Sequence, residues 1–276
     1  MNSTSAGLAA EVRGSGGDAM TGPVFSAPVV PGDTSNPRPR GPLMALLVKW
    51  FFRQATVSQV DVLSEHFQRI TLAGEELRGV SWMPGQKIQV GVGGNANRSY
   101  TPIYWDTAAG EMRILAFSHG TGPGAAWAST VQVRAACPFF GPRPSLDLDG
   151  SRDGRSFLFG DETAFGLALA LCASLGDSGA VSLLFEVSSV EESKQVWQEC
   201  SAQPAHFIAR AVDDAHLDEV ETHTLEIIDD WDPNCFILSG KASSIQRVRH
   251  LLRSRGIAAT QVKTKAYWAP GKMGLD

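Results

Sequence analysis

The hydrophobic rhythm of this chain changes near residue 150, and that change restricts its fold more than any other feature. Between 55 and 148 the runs are short and alternate apolar with polar residues. Segment 55–63 sets Val57 and Val60 among polar neighbours, 67–72 reads F-Q-R-I-T-L, and 86–92 reads Q-K-I-Q-V-G-V. Segments 98–105 and 111–117 continue the series, with Pro84-Gly85 and Gly141-Pro142 marking turns. A side-chain period of two, broken at this spacing by Gly, Pro and Asn, predicts an antiparallel barrel or sandwich.

Beyond 150 the texture is different. Segment 156–160 (S-F-L-F-G) is an apolar strand that leads into 162–175, whose Leu and Ala residues suit a buried helix. A strand at 180–187, a polar helix at 190–198 and strands at 206–212 and 234–240 follow. A helix at 243–255 then places Ile245, Val248, Leu251 and Leu252 on one face, and 259–268 closes the series. Strands alternating with helices predict a parallel sheet covered on both faces. The polar, glycine-containing segment 149–154 separates the halves, and no internal repeat is visible.

Composition narrows the function classes. With 276 residues and 43% hydrophobic content, the chain can bury one large core or two ordinary ones. A net charge of −5 argues against a general nucleic-acid binder, which needs clustered Lys and Arg to displace phosphate counterions. Cys137, Cys172, Cys200 and Cys235 are widely spaced, suggest neither a zinc site nor an iron–sulfur centre, and are expected as reduced thiols. Residues 1–43 are rich in Gly, Ser and Pro without apolar periodicity and are expected to be a disordered tail. The apolar stretch 43–52 is interrupted by Lys49 and too short to cross a bilayer; it either packs onto the fold or touches a surface weakly. A cytoplasmic protein with no integral membrane segment is the expectation.

The chemistry-bearing residues cluster in the first half. Arg98 can bind a diphosphate oxygen pair, and Tyr100, two residues on, shares its sheet face and can cover a flat ring. Ser99 and Thr101 point the other way, but the Thr101 hydroxyl at the strand edge could still reach a polar ring edge. After a further strand comes Ser118-His119-Gly120-Thr121-Gly122-Pro123-Gly124-Ala125, with Trp127 beyond it. Its glycines permit close backbone approach, and 124–129 reads as the first turn of a helix, whose N-terminus suits phosphate. His119 either orients this loop or touches the ligand, whereas Trp127 suits packing better. The same residues match a G-x-G-x-x-A dinucleotide fingerprint. That fingerprint requires a parallel βαβ unit, and 131–140 with Pro138 instead resembles the closing strand of a barrel.

Taken in order, Arg98-Ser-Tyr-Thr101, the His119–Trp127 motif, Gly141-Pro-Arg143, Gly160-Asp-Glu-Thr-Ala164 and Tyr267-Trp268-x-x-Gly271-Lys272 resemble the siderophore-interacting protein family. These are flavin-dependent ferric-siderophore reductases related to ferredoxin–NADP reductases. The resemblance runs from about 55 to 276. It implies an antiparallel six-stranded β-barrel that binds FAD over 44–150, and a parallel-sheet α/β domain over 151–276 that binds NADH or NADPH. Carried over, Arg98, Ser99, Tyr100, Thr101, His119, Gly120, Gly122, Gly124, Ala125 and Trp127 hold FAD. Tyr100, Thr101, Asp161, Glu162 and Thr163 flank the reacting centre, although Asp161 suits a helix cap equally well.

The implied partner is a ferric siderophore, with a ferredoxin as a further possible electron donor and a monomeric state expected. Lys263, Lys265 and Lys272, beside Tyr267 and Trp268, could attract an anionic siderophore. Glu186 ends the second strand of the α/β half, where an acid would repel a 2′-phosphate and favour NADH. Two departures stand out. Segment 131–137 replaces a Gly-Asp pair, and Pro102-Ile103-Tyr104 follows Thr101 where some relatives carry an Arg, removing one cation near the flavin.

Overall fold

Strand β1 (Arg53–Val62) pairs antiparallel with both β2 (Phe67–Ala73) and β7 (Ala136–Arg143), and these three begin the first sheet. The computed structural model describes residues 52–94, 96–148, 151 and 154–271; the expected tail over 1–43 and Lys272 lie outside them. Strands β3 (Lys87–Gly91), β4 (Asn97–Tyr100), β5 (Pro102–Asp106) and β6 (Glu111–Phe117) complete the order β4-β3-β7-β1-β2-β6-β5.

Seven segments stand where six strands were expected, and Pro102 accounts for the difference. Proline has no N–H to give to a ladder, so the run from Asn97 to Asp106 breaks after Thr101. Its first half pairs with β3 (Ile88 opposite Tyr100) and its second with β6 (Pro102 opposite Ile114). The outermost strands of the sheet are therefore consecutive in the chain, and the chain itself closes the barrel. Alternation puts Val57, Ile70, Leu72, Ile88, Val90, Met112, Ile114 and Phe139 inside. Helix α1 (Pro123–Thr130) follows β6. The strand expected from 131 begins only at Ala136, because Arg134 takes a left-handed φ of 75° and turns its N–H onto the Val57 carbonyl.

The second sheet is parallel throughout, in the order β10-β9-β8-β11-β12. Its strands are β8 (Arg155–Gly160), β9 (Ala180–Val187), β10 (His206–Ala209), β11 (Cys235–Lys241) and β12 (Val262–Trp268). One face packs against α2 (Phe165–Ser174) and α3 (Val190–Cys200). The other packs against α4 (Leu217–Trp231) and α5 (Ala242–Ser254). Helix α2 is buried from Phe165 to Leu171, which explains its nearly unbroken apolar sequence. All of β11 is buried too, as expected for a central strand.

The strand order reverses at β8. The chain runs from β8 through β9 to β10 on one side, then returns to β11 and β12 on the other, so the crevice at the carboxyl ends of β8 and β11 is where a ligand is expected. The barrel meets the α/β half at that same end. Phe67 stacks on Phe165 at 5.4 Å, the His66 N–H donates to Glu192 Oε1 at 2.9 Å, and Gly166 lies against Thr101, where a Cβ would stand 3.0 Å from the Thr101 carbonyl oxygen.

Candidate functional site

A cleft of about 290 Å³ opens where these pieces converge. Strand β4 and Thr101 form one wall, and Leu115, Phe117 and His119, at and beyond the end of β6, form another. The first turn of α1, the Glu162–Gly166 turn, and Tyr267 with Trp268 at the end of β12 complete it.

Arg98 and the start of α1 share one corner. Gly122 is the extended N-cap, among the described residues no side chain caps it, and Pro123 fits the first helical position because it has no N–H to leave unpaired. The Arg98 side chain lies across the bare backbone of Gly124, where a Cβ would stand 2.8 Å from Arg98 Cγ and 3.0 Å from Nε. Its Nη1 donates to the Asn97 carbonyl at 2.8 Å. A guanidinium and a helix N-terminus thus attract negative charge to the same point. Tyr100 packs on Trp127 at 5.9 Å, and burial holds its phenol well above the ordinary range. His119 stacks on Phe117 at 5.6 Å, and burial lowers its pKa, favouring the neutral ring. Thr101 Oγ1 and the Tyr267 hydroxyl lie 2.9 Å apart and tie the barrel to β12.

Behind the cleft, at the strand-order reversal, sits fully buried Asp161. Its Oδ1 accepts from the Thr163 N–H at 2.9 Å and hydroxyl at 2.5 Å; its Oδ2 accepts from Trp268 Nε1 at 2.6 Å. It caps the turn, one of the two roles expected of it, and also anchors the indole of Trp268. Burial, with the adjacent Glu162 charge next, pushes the Asp161 carboxyl up to about 6.

The folded chain therefore holds this proton more tightly than the unfolded chain. The associated stability is complete below about pH 4 and is lost as pH rises through about 6, amounting to about 3 kcal/mol. Urea unfolding between pH 4 and 7 is expected to show this extra slope in the wild type. It should be missing from Asp161→Asn.

Glu162 is also buried. Its Oε1 accepts from the Ser188 N–H and hydroxyl, each at 2.5 Å, and its Oε2 accepts from Arg210 Nη2 at 2.6 Å. The same Arg210 nitrogen donates to the Glu186 carbonyl at 2.9 Å. The guanidinium lies 5.6 Å from the Trp268 ring centre, with Lys241 Nζ at 6.0 Å and the His119 ring at 6.0 Å. Trp268 is thus bounded by two cations and the His119 ring and pinned at its nitrogen by an acid.

Most of the expected residues converge: Arg98, Ser99, Tyr100, Thr101, His119, Gly122, Gly124, Ala125, Glu162, Thr163, Tyr267 and Trp268 line one cleft. Gly120 stands outside this lining with a left-handed φ of 64°, and half-buried Trp127 on α1 packs between Tyr100 and the barrel core. Lys263 turns away and donates to the Asp147 carbonyl, while Lys265 lies 6.0 Å from the Tyr267 ring centre, outside the lining. Glu186 requires a correction. It is fully buried, its Oε2 is held by His216 Nε2 at 2.7 Å and Ser244 at 2.9 Å, and it presents no acid to a ribose. Nothing at Glu186 favours NADH over NADPH. Sequence reasoning missed Leu115, Phe117, Ser188, Arg210 and Gly166. Only Arg210 carried a signal, a cation closing an apolar run just past a parallel strand's carboxyl end.

Two family models match the chain: siderophore-interacting protein over residues 154–271, and siderophore-interacting FAD-binding domain over 91–146. Among solved structures, a siderophore utilization protein from T. fusca is 21% identical, with 82% of this chain and 95% of that one covered at a TM-score of 0.61. The siderophore-interacting protein SipS from Aeromonas hydrophila is 19% identical, with 80% and 93% covered at 0.66. The ferredoxin reductase in carbazole 1,9a-dioxygenase is 16% identical, with 78% and 69% covered at 0.64. At these identities the likeness establishes a shared, ferredoxin-reductase-like fold. A search of curated protein sequences finds no match. The FAD-binding match and the reductase-type fold together support a flavin electron-transfer role. The two family matches jointly span more than half of the sequence, and the chain belongs to the siderophore-interacting protein family.

Proposed function

We propose that this chain is a ferric-siderophore reductase, which uses FAD to pass electrons from NADH or NADPH, or from a reduced ferredoxin, to Fe(III). The observation that carries this reading is the single cleft that joins an anion-attracting corner, a sheltered aromatic wall and the end of the parallel sheet. FAD fits these residues. A diphosphate is drawn to Arg98 and the uncapped start of α1, and the glycines at 122 and 124 leave backbone bare for its approach. When bound, FAD supplies the link between a two-electron hydride donor and a one-electron acceptor.

The chain's own residues bind, orient and exclude water. Tyr100 would cover the flavin ring, and Thr101, held by Tyr267, would meet its polar edge. Asp161 fixes Trp268 at the open end, and the Glu162–Arg210 pair holds the turn beneath it. Lys265, close to Tyr267, attracts an anionic ferric siderophore to that end. Ferrous iron is bound far more weakly than ferric iron by hard oxygen ligands, so reduction frees the metal without permanent protein ligands.

The donor half is tested by anaerobic mixing of the FAD-loaded chain with NADH, NADPH or reduced ferredoxin. At least one is expected to bleach the flavin absorbance within seconds. Failure to take up FAD, or bleaching by none of the three, would overturn the reading.

A further inference from the structure

Far from the cleft, the edge strand β10 and helix α4 bring two histidines and a glutamate together. His206 opens β10, which among the described residues pairs only with β9 and forms one edge of the parallel sheet. Glu219 and His223 lie one helical turn apart on α4, on the same side, while Val220 and Thr224 of that helix are buried. One donor atom from each of the three residues falls within 4.8 Å of the others, and the two imidazole centres are 4.0 Å apart. We propose that His206, Glu219 and His223 bind a single divalent metal ion of the borderline type, with Zn²⁺ as the representative.

Chemistry and geometry both favour this assignment. Two imidazoles and one carboxylate are a donor set suited to zinc and its first-row neighbours, not to calcium or magnesium, which prefer oxygen throughout. Donor atoms in a tetrahedral zinc site stand about 3.3 Å apart, so modest rotation of the exposed His206 and Glu219 side chains toward half-buried His223 closes the set with the backbone in place. His223 already has an outer partner. Its Nδ1 lies 2.9 Å from Glu226 Oε2, and with the Nδ1–H donating a hydrogen bond to that carboxylate, Nε2 keeps its lone pair for a metal. Carboxylates in that position fix the tautomer and orientation of ligating histidines. The fourth coordination position falls to water, and the ion pins the edge strand to the helix that flanks it. The site is independent of the flavin reading.

Calorimetric titration of the FAD-loaded full chain with ZnCl₂ tests the proposal, with bound zinc counted by elemental analysis. One Zn²⁺ per chain is expected. His206→Ala and His223→Ala should each weaken binding by about 100-fold, and Glu226→Gln by about 10-fold. His66→Ala, a partly exposed histidine elsewhere, should change nothing, and CaCl₂ should give no saturable heat. All three histidine variants are expected to keep the wild-type far-ultraviolet circular dichroism, since none of these side chains is buried. Zinc binding that survives both ligand variants, or that is matched by calcium, would overturn the proposal. So would the absence of binding below about 1 mM, a dissociation constant that corresponds to only about 4 kcal/mol.

Discussion

Gly240→Ala is expected to lower stability by about 3–5 kcal/mol and to dislodge Trp268 from the cleft. Gly240 sits near the carboxyl end of β11 with a φ of 112°, a region that only glycine enters readily, and such a conformation costs an alanine about 1–3 kcal/mol. Contact adds to the strain. A Cβ at this position would stand 2.5 Å from the Asp161 carboxyl carbon and 2.5 Å from Oδ2, the oxygen that accepts from Trp268. Asp161 is fully buried and cannot move aside without losing bonds to Thr163 and the indole, at about 1–3 kcal/mol for a buried group left unsatisfied. Gly256→Ala provides the control. Its φ is 78°, but nothing lies within 4 Å of the added Cβ, so only about 1–2 kcal/mol is expected. Chemical denaturation of both variants separates backbone strain from the clash with Asp161; equal losses would refute the packing argument.

Arg98→Ala is expected to weaken FAD binding by about 10- to 150-fold, the range that corresponds to the 1.5–3 kcal/mol of a charge-assisted hydrogen bond. Truncation removes the guanidinium and also the aliphatic stem that covers Gly124, so the corner loses both charge and shape. Arg98→Lys should recover part of the affinity, since it restores charge but not the planar fork. Lys265→Ala should leave FAD affinity unchanged, because that amine lies outside the cleft lining. Titration of apo-protein by quenching of flavin fluorescence measures all three. Undiminished affinity in Arg98→Ala would show that the diphosphate lies elsewhere.

Much of this fold could be read from local patterns. The alternating runs became the barrel strands, and 111–117 and 180–187 have the same bounds in the structure. Pro123 opens α1 as the glycine-rich motif implied, and β7 pairs antiparallel with β1 and β3, so the dinucleotide fingerprint was rightly set aside. Helix α4 escaped notice. Its sequence, L-D-E-V-E-T-H-T-L-E-I-I-D-D-W, is acidic and rich in β-branched residues, which blunt helix propensity. Tertiary packing of Leu217, Val220 and Thr224 makes it helical nonetheless. Because α4 was missed, so was the meeting of His206 with Glu219 and His223, which depends on sheet order and not on sequence spacing.

The candidate cleft followed a similar division. Arg98, Tyr100 and the α1 turn were legible because a strand period and a helix start fix their directions. The capping role of Asp161 was legible too, but its hold on Trp268 and the burial of Glu186 were not, since each depends on what the fold brings against it: Trp268 and Gly240 for the first, His216 and Ser244 for the second. Lys263 illustrates the same limit, because only the folded chain brings the Asp147 carbonyl within reach of its amine.

The central claim is that electrons held at this cleft reach ferric iron in an organic chelate. It is tested most directly by photoreducing the FAD-loaded chain under anaerobic conditions and mixing it with ferric siderophores of the hydroxamate, catecholate and hydroxycarboxylate classes, with a ferrous-specific chromogenic chelator present. The oxidised flavin spectrum is expected to return with at least one of them, with about two ferrous ions captured per flavin. Flavin that stays reduced in the presence of every ferric chelate, with no ferrous complex formed, would contradict the claim.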